Sequence, residues 1–307
     1  MLDLIGQSCG LTEFRDVVEE ARRFLGLAGS DYAAVSERYC RHPQGHVPSL
    51  PVTRADPDLQ VDNGCKPAPD AAKAQRAAMR LFGMAQPLSG TLAESYLHRR
   101  GIAAAALTGI GALRFHPCCF YRAIPDAVPE ARPALIAAVT DLYGMITGIQ
   151  RTWLDPGGFD PIRLGKAPLE APRRALGLLL GHAVRFGLAN GLDVLAAGEG
   201  IETMLSLRCV LPAMPMAVAL SAGHLTALLL PAGLRRLYIA RDADAAGDRA
   251  VAGLTERVIA AGIEAITLSP RLGDLNDDLR ELGIAELRAN LREQIAPEDV
   301  ARFMIYD

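Results

Sequence analysis

The spacing of apolar residues changes along this chain, and the changes divide it into segments. Apolar residues at helical spacing predict an amphipathic helix over residues 1–27, ending near Gly26. Residues 28–74 are rich in Pro, Asp, Ser and Gly and show no sustained period, which predicts a linker. We therefore expect a domain boundary in this stretch.

Residues 75–190 combine helix signals with strand signals. Thr91 and Glu94 have the spacing of a capping box at the start of a helix. Two apolar, β-prone runs follow, 134–140 and 145–154, and the turn between them ends in a glycine, which predicts a hairpin. The pattern predicts an α+β domain over 75–190.

From residue 191 onward, short apolar runs alternate with helical patterns. The predicted strands are 194–197, 216–220, 237–240 and 265–268. The predicted helices start at about Ile201, run through 225–230, cover about 246–261, and start again at Asp278. This alternation predicts an α/β domain over 191–307, in which a parallel sheet of about four strands is flanked by helices.

One stretch requires a test for membrane insertion. Cys209 to Leu234 contains no charged residue and is long enough to span a bilayer. Three prolines interrupt it, so a buried strand followed by a helix explains the stretch better. The first residues lack the features of a secretory signal, and the six cysteines form no regular framework. We expect a cytoplasmic protein without a membrane partner.

The charge is distributed unevenly. The formal net charge of −3 argues against a surface that binds nucleic acid all over. Residues 71–190, however, carry 14 basic and 7 acidic residues, whereas residues 191–307 carry 11 basic and 17 acidic ones. A basic region therefore adjoins an acidic one, and a local basic surface attracts phosphates whatever the remote charges are.

Acidic residues follow three of the four predicted parallel strands. They are Glu199 and Glu202, Asp242 and Asp244, and Asp274 and Asp277. Each acid alone is ordinary loop chemistry, but the carboxyl ends of parallel strands meet at one edge of the sheet, where ligands bind. Converging carboxylates repel one another unless a cation neutralises them, and ligands that are all oxygen favour Mg²⁺ or Mn²⁺. Ions held this way suit phosphoryl transfer.

The acidic motifs resemble those of the Toprim domain shared by bacterial-type primases, topoisomerases and some nucleases. The resemblance covers about 190–280 and rests on three ordered motifs, Gly198-Glu199-Gly200, Asp242-Ala243-Asp244 and Gly273-Asp274 with the acids after it. It implies that Glu199, Asp242 and Asp244 are catalytic and bind metal, and that Asp274 and Asp277 are further ligands. Bacterial primases usually have another aspartate where this chain has Thr203, and Glu202 is expected to substitute for it.

The region before this domain is similar to the corresponding region of primase-like proteins. The similar segments are Leu113–Pro117, Gly148–Leu154 and Gly165–Ala167. The resemblance implies that Arg151 and Lys166 lie in a groove that holds template and nucleotide phosphates, and Arg114 is a third candidate for substrate binding. It also implies that 1–27 correspond to the tail of a zinc-binding domain, whose ligands this chain lacks.

The sequence thus predicts a primase-like nucleotidyltransferase of a mobile element, which makes short RNA primers for DNA replication. Its cofactor would be Mg²⁺ or Mn²⁺. Its partners would be single-stranded DNA, nucleoside triphosphates and a replicative helicase. Two alternatives remain open. One is a Toprim nuclease that uses the same metals, and the other is a non-catalytic DNA-binding accessory protein of replication.

Overall fold

The computed structural model describes residues 69–124, 128–157, 160, 162–187 and 193–304. They belong to one compact unit, Gly64–Asp307. The helix predicted over 1–27 and most of the predicted linker lie outside the described residues. The end of that predicted linker is helical, because the first described helix starts at Pro69.

The described residues up to 187 form the basic domain. Its elements are α1 (Pro69–Met84), β1 (Gln86–Pro87), α2 (Leu92–Arg99), α3 (Ala104–Leu107), β2 (Leu113–Tyr121), β3 (Glu130–Thr140), β4 (Ile146–Trp153), β5 (Arg173–Gly177) and β6 (Val184–Phe186). Strands β1 to β5 form an antiparallel sheet in chain order. Strand β6 does not belong to this sheet but to the sheet of the C-terminal domain.

The predicted helix start and hairpin are both confirmed, but the capping box is formed only in part. The Thr91 hydroxyl accepts a hydrogen bond from the Glu94 N–H at the start of α2, whereas the Glu94 carboxylate accepts the N–H of Gly90 and not that of Thr91. Strands β3 and β4 pair as predicted, and the Asp141 carboxylate accepts two backbone N–H groups in the turn between them. Gly144 closes that turn at a φ of 81°, a conformation that favours glycine.

Residues 193–304 form the C-terminal domain. Its elements are β7 (Val194–Gly198), α4 (Ile201–Val210), β8 (Met216–Val218), α5 (Ala222–Thr226), β9 (Arg236–Ala240), α6 (Ala245–Ala260), β10 (Glu264–Leu268), α7 (Leu275–Glu281), α8 (Ile284–Gln294) and α9 (Pro297–Phe303). The strand order is β10-β9-β7-β8-β6. The four predicted strands are parallel, and β6 adds an antiparallel edge to β8.

Two predicted helices have different bounds. The helix expected through 225–230 ends at Thr226, because the Leu229 N–H donates to the Gly181 carbonyl outside the helix. The helix expected from Asp278 starts three residues earlier. Its N-cap is Asp274, whose carboxylate accepts the N–H groups of Asn276 and Asp277.

The two domains share one hydrophobic core. Leu97 and Leu135 of the basic domain belong to the same buried cluster as Met204 and Leu275 of the C-terminal domain. Each of these four side chains is at most 1% exposed. The two sheets also touch through an antiparallel bridge between Thr140 and Ala183. Side chains at the domain boundary are therefore held as firmly as those inside either domain.

Within the part of the chain that the structure covers, none of the helices combines the length and the apolar character that crossing a bilayer requires. The uncharged stretch from Cys209 to Leu234 instead contributes the end of α4, strand β8 and the short helix α5.

A buried ion pair fastens the last helix to the sheet. The Asp299 carboxylate, in α9, accepts hydrogen bonds from the Arg236 guanidinium at 2.6 Å and from the Tyr238 hydroxyl at 2.7 Å. The Asp299 side chain is 3% exposed, whereas Glu298, which also pairs with Arg236, is 64% exposed. Because Asp299 is buried, water cannot take its place as the partner of Arg236, whereas water can replace the exposed Glu298.

We expect Asp299→Ala to lower the free energy of unfolding by about 3 kcal/mol, because it leaves Arg236 and Tyr238 without their buried acceptor. Glu298→Ala is the matched control and should cost less than about 1 kcal/mol. Urea unfolding of both variants measures the difference. Equal losses would show that α9 is not held by this pair.

Candidate metal and phosphate site

Four carboxylates lie at the carboxyl edge of the C-terminal sheet. Glu199 directly follows β7, and Asp242 follows β9, its parallel neighbour. Asp244 is the N-cap of α6, and Asp274 is the N-cap of α7 after β10. The parallel register brings the ends of these strands together, so residues far apart in sequence meet at one edge.

Burial and neighbouring charges affect the ionisation of Asp242 and Glu199. Burial raises the pKa of Asp242 to about 7, with further contributions from Asp274, Glu199 and Asp244 in that order. Burial also raises the pKa of Glu199, as does Asp244, while the Ala222 N–H opposes the shift. Without a cation, Asp242 and Glu199 therefore hold their protons more tightly than exposed carboxyls do.

Two of the carboxylates have an oxygen without a hydrogen-bond donor. Asp242 Oδ1 and Glu199 Oε1 are buried and have no partner among the residues that the structure describes. Asp244 and Asp274 each use Oδ1 to accept two backbone N–H groups, which fixes their orientation. Buried oxygens without donors are uncommon, and a cation would satisfy them.

Glycines allow the backbone around these acids to pack closely. A Cβ on Gly247, in α6, would lie 2.2 Å from the carbonyl oxygen of Asp242. A Cβ on Gly200 would lie 2.8 Å from the Thr203 hydroxyl oxygen. Both approaches are too short for any other residue, so the glycines in the two motifs have a steric role.

The residues fit a divalent cation in charge and donor type. All four candidates are carboxylates, and two carry an unsatisfied oxygen. Across the described residues, however, no three His, Cys, Asp or Glu side chains are grouped closely enough to hold an ion as they stand. Binding would therefore require Glu199 and Asp242 to rotate toward the ion, while the N-cap bonds hold Asp244 and Asp274 in place.

Two other predicted ligands have different partners. Asp277 accepts a hydrogen bond from Arg280 at 3.1 Å. Glu202 is buried and accepts a hydrogen bond from the Tyr96 hydroxyl of α2. Burial alone would raise the pKa of Glu202, but Lys166 and Arg100 lower it to about 2.

Asp277 stays close to the four carboxylates, because its N–H donates to the Asp274 carboxylate at 2.8 Å while its own side chain pairs with Arg280. Glu202 faces Tyr96 instead. Glu202 lies in the first turn of α4, a helix whose side chains are nearly all buried, and this places its carboxylate at the domain boundary.

Lys166 lies between the two groups of acids. Burial lowers its pKa, and the charges of Glu202 and Asp274 oppose that shift. A backbone bridge from Lys166 to Leu154 holds this loop against the end of β4. The ammonium group of Lys166 is thus within electrostatic range of Glu202 and Asp274, and its predicted role in phosphate binding stays a prediction.

The other two predicted basic residues point elsewhere. Arg114 donates to the carbonyls of Phe82 and Ala85 and stacks on the Phe82 ring, so it caps the end of α1. Arg151 donates to the Ala175 carbonyl and lies over the Trp153 ring. The structure does not bring Arg114 or Arg151 to the carboxylates, because their guanidinium groups serve the basic domain itself.

Arg173 is a basic residue that the sequence motifs do not reveal. It is exposed on β5 and pairs with Thr152 of β4. Arg151 and Arg174, which pair with each other, lie on the opposite face of the sheet. Its charge lowers the pKa of Asp242 and also that of Glu202. Arg173 therefore lies within electrostatic range of both acidic groups.

Comparison with known families assigns both domains. Residues 72–186 match a family described as a domain of unknown function, DUF7146, and residues 194–285 match the Toprim domain. The C-terminal domain is a Toprim domain. Comparison with curated proteins finds no match.

Solved structures of primases align with two thirds or nearly all of this chain. The zinc-binding and RNA polymerase domains of the Aquifex aeolicus primase align with 96% of this chain and 70% of that chain, at 15% identity and a TM-score of 0.51. A DNA primase domain from Pseudomonas aeruginosa aligns with 72% of this chain and 78% of that chain, at 16% identity and a TM-score of 0.49. The primase fragment of the bacteriophage T7 primase-helicase aligns with 65% and 73%, at 16% identity and 0.43.

The predicted fold class is confirmed. A Toprim domain with a parallel sheet follows an α+β domain, and the arrangement of the two resembles that in the Aquifex primase. At 15% identity the likeness establishes the fold. The roles of the individual site residues remain predictions.

The raised pKa of Asp242 predicts a pH-dependent stability. A carboxyl whose pKa is higher in the folded than in the unfolded state lowers the stability of the protein. The loss grows as the pH rises from the ordinary pKa of the carboxyl toward its folded-state pKa of about 7. Without divalent ions, Asp242→Asn should raise the free energy of unfolding by about 2 kcal/mol near pH 8, after allowance for solvent screening, and by about half that near pH 5.5.

Thermal or urea unfolding at both pH values tests this expectation. Asp248→Asn is the matched control, because Arg241 pairs with Asp248 and lowers its pKa, so the variant should give no gain. Added Mg²⁺ should remove the advantage of Asp242→Asn. A gain that is independent of pH and Mg²⁺ would contradict the account.

Proposed function

We propose that this protein catalyses metal-dependent phosphoryl transfer on nucleic acid, as a primase-like nucleotidyltransferase that makes short RNA primers on single-stranded DNA. One observation carries the proposal. Four mutually repelling carboxylates on the Toprim sheet, two with unsatisfied oxygens, lie beside Lys166 and Arg173 of the preceding domain. Carboxylates that can bind cations, next to basic side chains that can bind phosphates, suit phosphoryl transfer.

Toprim domains and primases generally use divalent metal ions. Glu199, Asp242, Asp244 and Asp274 would hold them here, and oxygen ligands favour Mg²⁺ or Mn²⁺. When bound, such ions stabilise the charge on the attacking and leaving oxygens of a phosphoryl group. The fixed N-cap bonds of Asp244 and Asp274 would orient the site before an ion arrives.

Lys166 and Arg173 would bind the phosphates. The acidic edge alone repels a polyanion, so positive charge nearby is required for a phosphate to approach. Lys166 provides a compact charge beside Asp274, and Arg173 provides an exposed guanidinium within range of Asp242. The basic excess of residues 71–190 would extend this attraction along a nucleic-acid chain.

The proposed partners are single-stranded DNA as template and nucleoside triphosphates as substrates. A replicative helicase, the source in a mobile element and a role in replication follow only from the family resemblance. Two other functions use the same acids. A nuclease would cleave the DNA, whereas an accessory protein would bind it without turnover, which the open arrangement of the acids in the described residues would also suit.

Incubation with labelled single-stranded DNA, nucleoside triphosphates and Mn²⁺ tests the proposal. We expect new short RNA products. Glu199→Gln and Asp242→Asn should each reduce their formation by more than about a hundredfold, because each variant removes a carboxylate that would hold the ion. Asp248→Asn should retain the activity, since its side chain pairs with Arg241, which directly follows β9.

Three results would overturn the assignment. Shortened DNA without new RNA would identify a nuclease. Salt-sensitive DNA binding without turnover would identify an accessory protein. Full primer synthesis by both carboxylate variants would show that the acidic edge is not the reaction site.

A further inference from the structure

A cavity of about 280 Å³, lined by both polar and apolar groups, lies where the basic domain meets the Toprim domain. Gln150 of β4 and Arg173 of β5 line it from the first domain. The second domain lines it with Leu220 and Ser221, which lie between β8 and α5, and with His224 of α5. No residue that the sequence motifs assign to metal or phosphate lines this cavity.

The cavity adjoins the carboxylate edge. The Leu220 N–H donates to the Glu199 carbonyl at 2.9 Å, and the Ala222 N–H donates to the Glu199 carboxylate. Leu220 has a φ of 76°, a left-handed conformation that a leucine rarely adopts and that the surrounding packing must maintain. The cavity wall is therefore tied by main-chain bonds to a candidate metal ligand.

Gln150 is the most informative residue of this cavity. The residue as a whole is 8% exposed, but its amide atoms are not among the fully buried side-chain atoms that lack a partner, so the amide reaches the open space of the cavity. An amide there can both donate and accept hydrogen bonds. Since the amide lines the cavity, the group that would satisfy it is one that enters the cavity.

His224 provides a second unsatisfied group on the opposite wall. Its Nδ1 is buried and has no partner among the described residues. Unpaired polar groups therefore face the cavity from both domains. Leu179 and Leu220 add apolar surface, and Arg173 and Arg174 add charge on one side of the same lining. Away from the two arginines, uncharged polar groups combined with apolar surface suit a sugar or a base.

We propose that this cavity binds the nucleoside part of the nucleotide whose phosphates lie on Arg173 and the carboxylate edge, with Gln150 and His224 as its hydrogen-bonding residues. Arg173 belongs to both the cavity and the phosphate region, so one molecule can occupy both. An amide can donate to and accept from a base edge or a ribose hydroxyl. This inference rests on the proposed function.

Nucleotide binding with Mg²⁺ and without DNA tests the proposal. The probes are radiolabelled ATP and GTP, measured separately, and inorganic tripolyphosphate. Gln150→Leu and His224→Leu should each weaken binding of at least one nucleotide by about tenfold, because each leaves polar atoms of the nucleoside unpaired. Binding of tripolyphosphate should not change, whereas Arg173→Met should weaken binding of nucleotide and tripolyphosphate alike.

Gln86→Leu is the matched control, because Gln86 is exposed in β1 of the same sheet and does not line the cavity. Melting curves of all variants report whether they fold, and His224→Leu tests the cavity from a different element if Gln150→Leu is unstable. Unchanged nucleotide binding by both folded variants would overturn the cavity assignment. Equal losses for ATP and tripolyphosphate would overturn it too.

A kinetic arm separates this proposal from the proposed function. In the primer-synthesis assay, Gln150→Leu should raise the KM for nucleotide by about tenfold and leave kcat nearly unchanged. Primer synthesis with an unchanged KM would end the cavity proposal and leave the function standing. A wild-type protein that binds none of the nucleotides would end both.

Discussion

Repulsion between carboxylates that cannot move apart is the constraint on which this site depends. Parallel pairing of β7 with β9 fixes the backbone at Glu199 and Asp242, and N-cap bonds orient Asp244 and Asp274. The fold therefore concentrates negative charge at one edge, and only a proton or a cation relieves the cost. In the absence of an ion, burial and then the neighbouring carboxylates raise the pKa of Asp242 to about 7.

The domain before the Toprim domain supplies the opposite charge. Lys166 and Arg173 reach the acidic edge from a different sheet, so their position depends on how the two domains pack. The shared core and buried polar contacts fix that packing. Tyr96 donates to Glu202, and the Asn276 amide donates to the carbonyl of Arg100 at 2.8 Å. Asn276 lies two residues after Asp274, so the same contact also steadies a candidate ligand.

Much of the Toprim domain could be predicted because its strands are short, apolar and buried on both faces. That pattern also locates the strand ends, and with them Glu199, Asp242, Asp244 and Asp274. Glu202 was harder to place, because its position within the first turn of α4 decides whether it faces the ion or the domain boundary. A spacing in the sequence does not show which neighbours a helical side chain will meet.

Of the two basic residues within electrostatic range of the acids, the sequence motifs point only to Lys166. Arginine is abundant in this chain, so its presence in a motif carries little information. Arg151 and Arg174 pair across β4 and β5 on one face, and Arg173 lies on the other, so the alternation of one strand decides which guanidinium reaches the acids. Strand β5 has no apolar alternation that would reveal it, and Gln150 is informative only once its burial is known.

Binding of Mn²⁺ is the most direct test of the central claim, since it requires neither DNA nor turnover. Electron paramagnetic resonance distinguishes free from bound Mn²⁺ during a titration of the wild-type protein, of Asp242→Asn and of Asp248→Asn. We expect the wild type and Asp248→Asn to bind the ion alike and Asp242→Asn to bind it at least about tenfold more weakly. Equal binding by all three proteins, or no binding by the wild type, would contradict it.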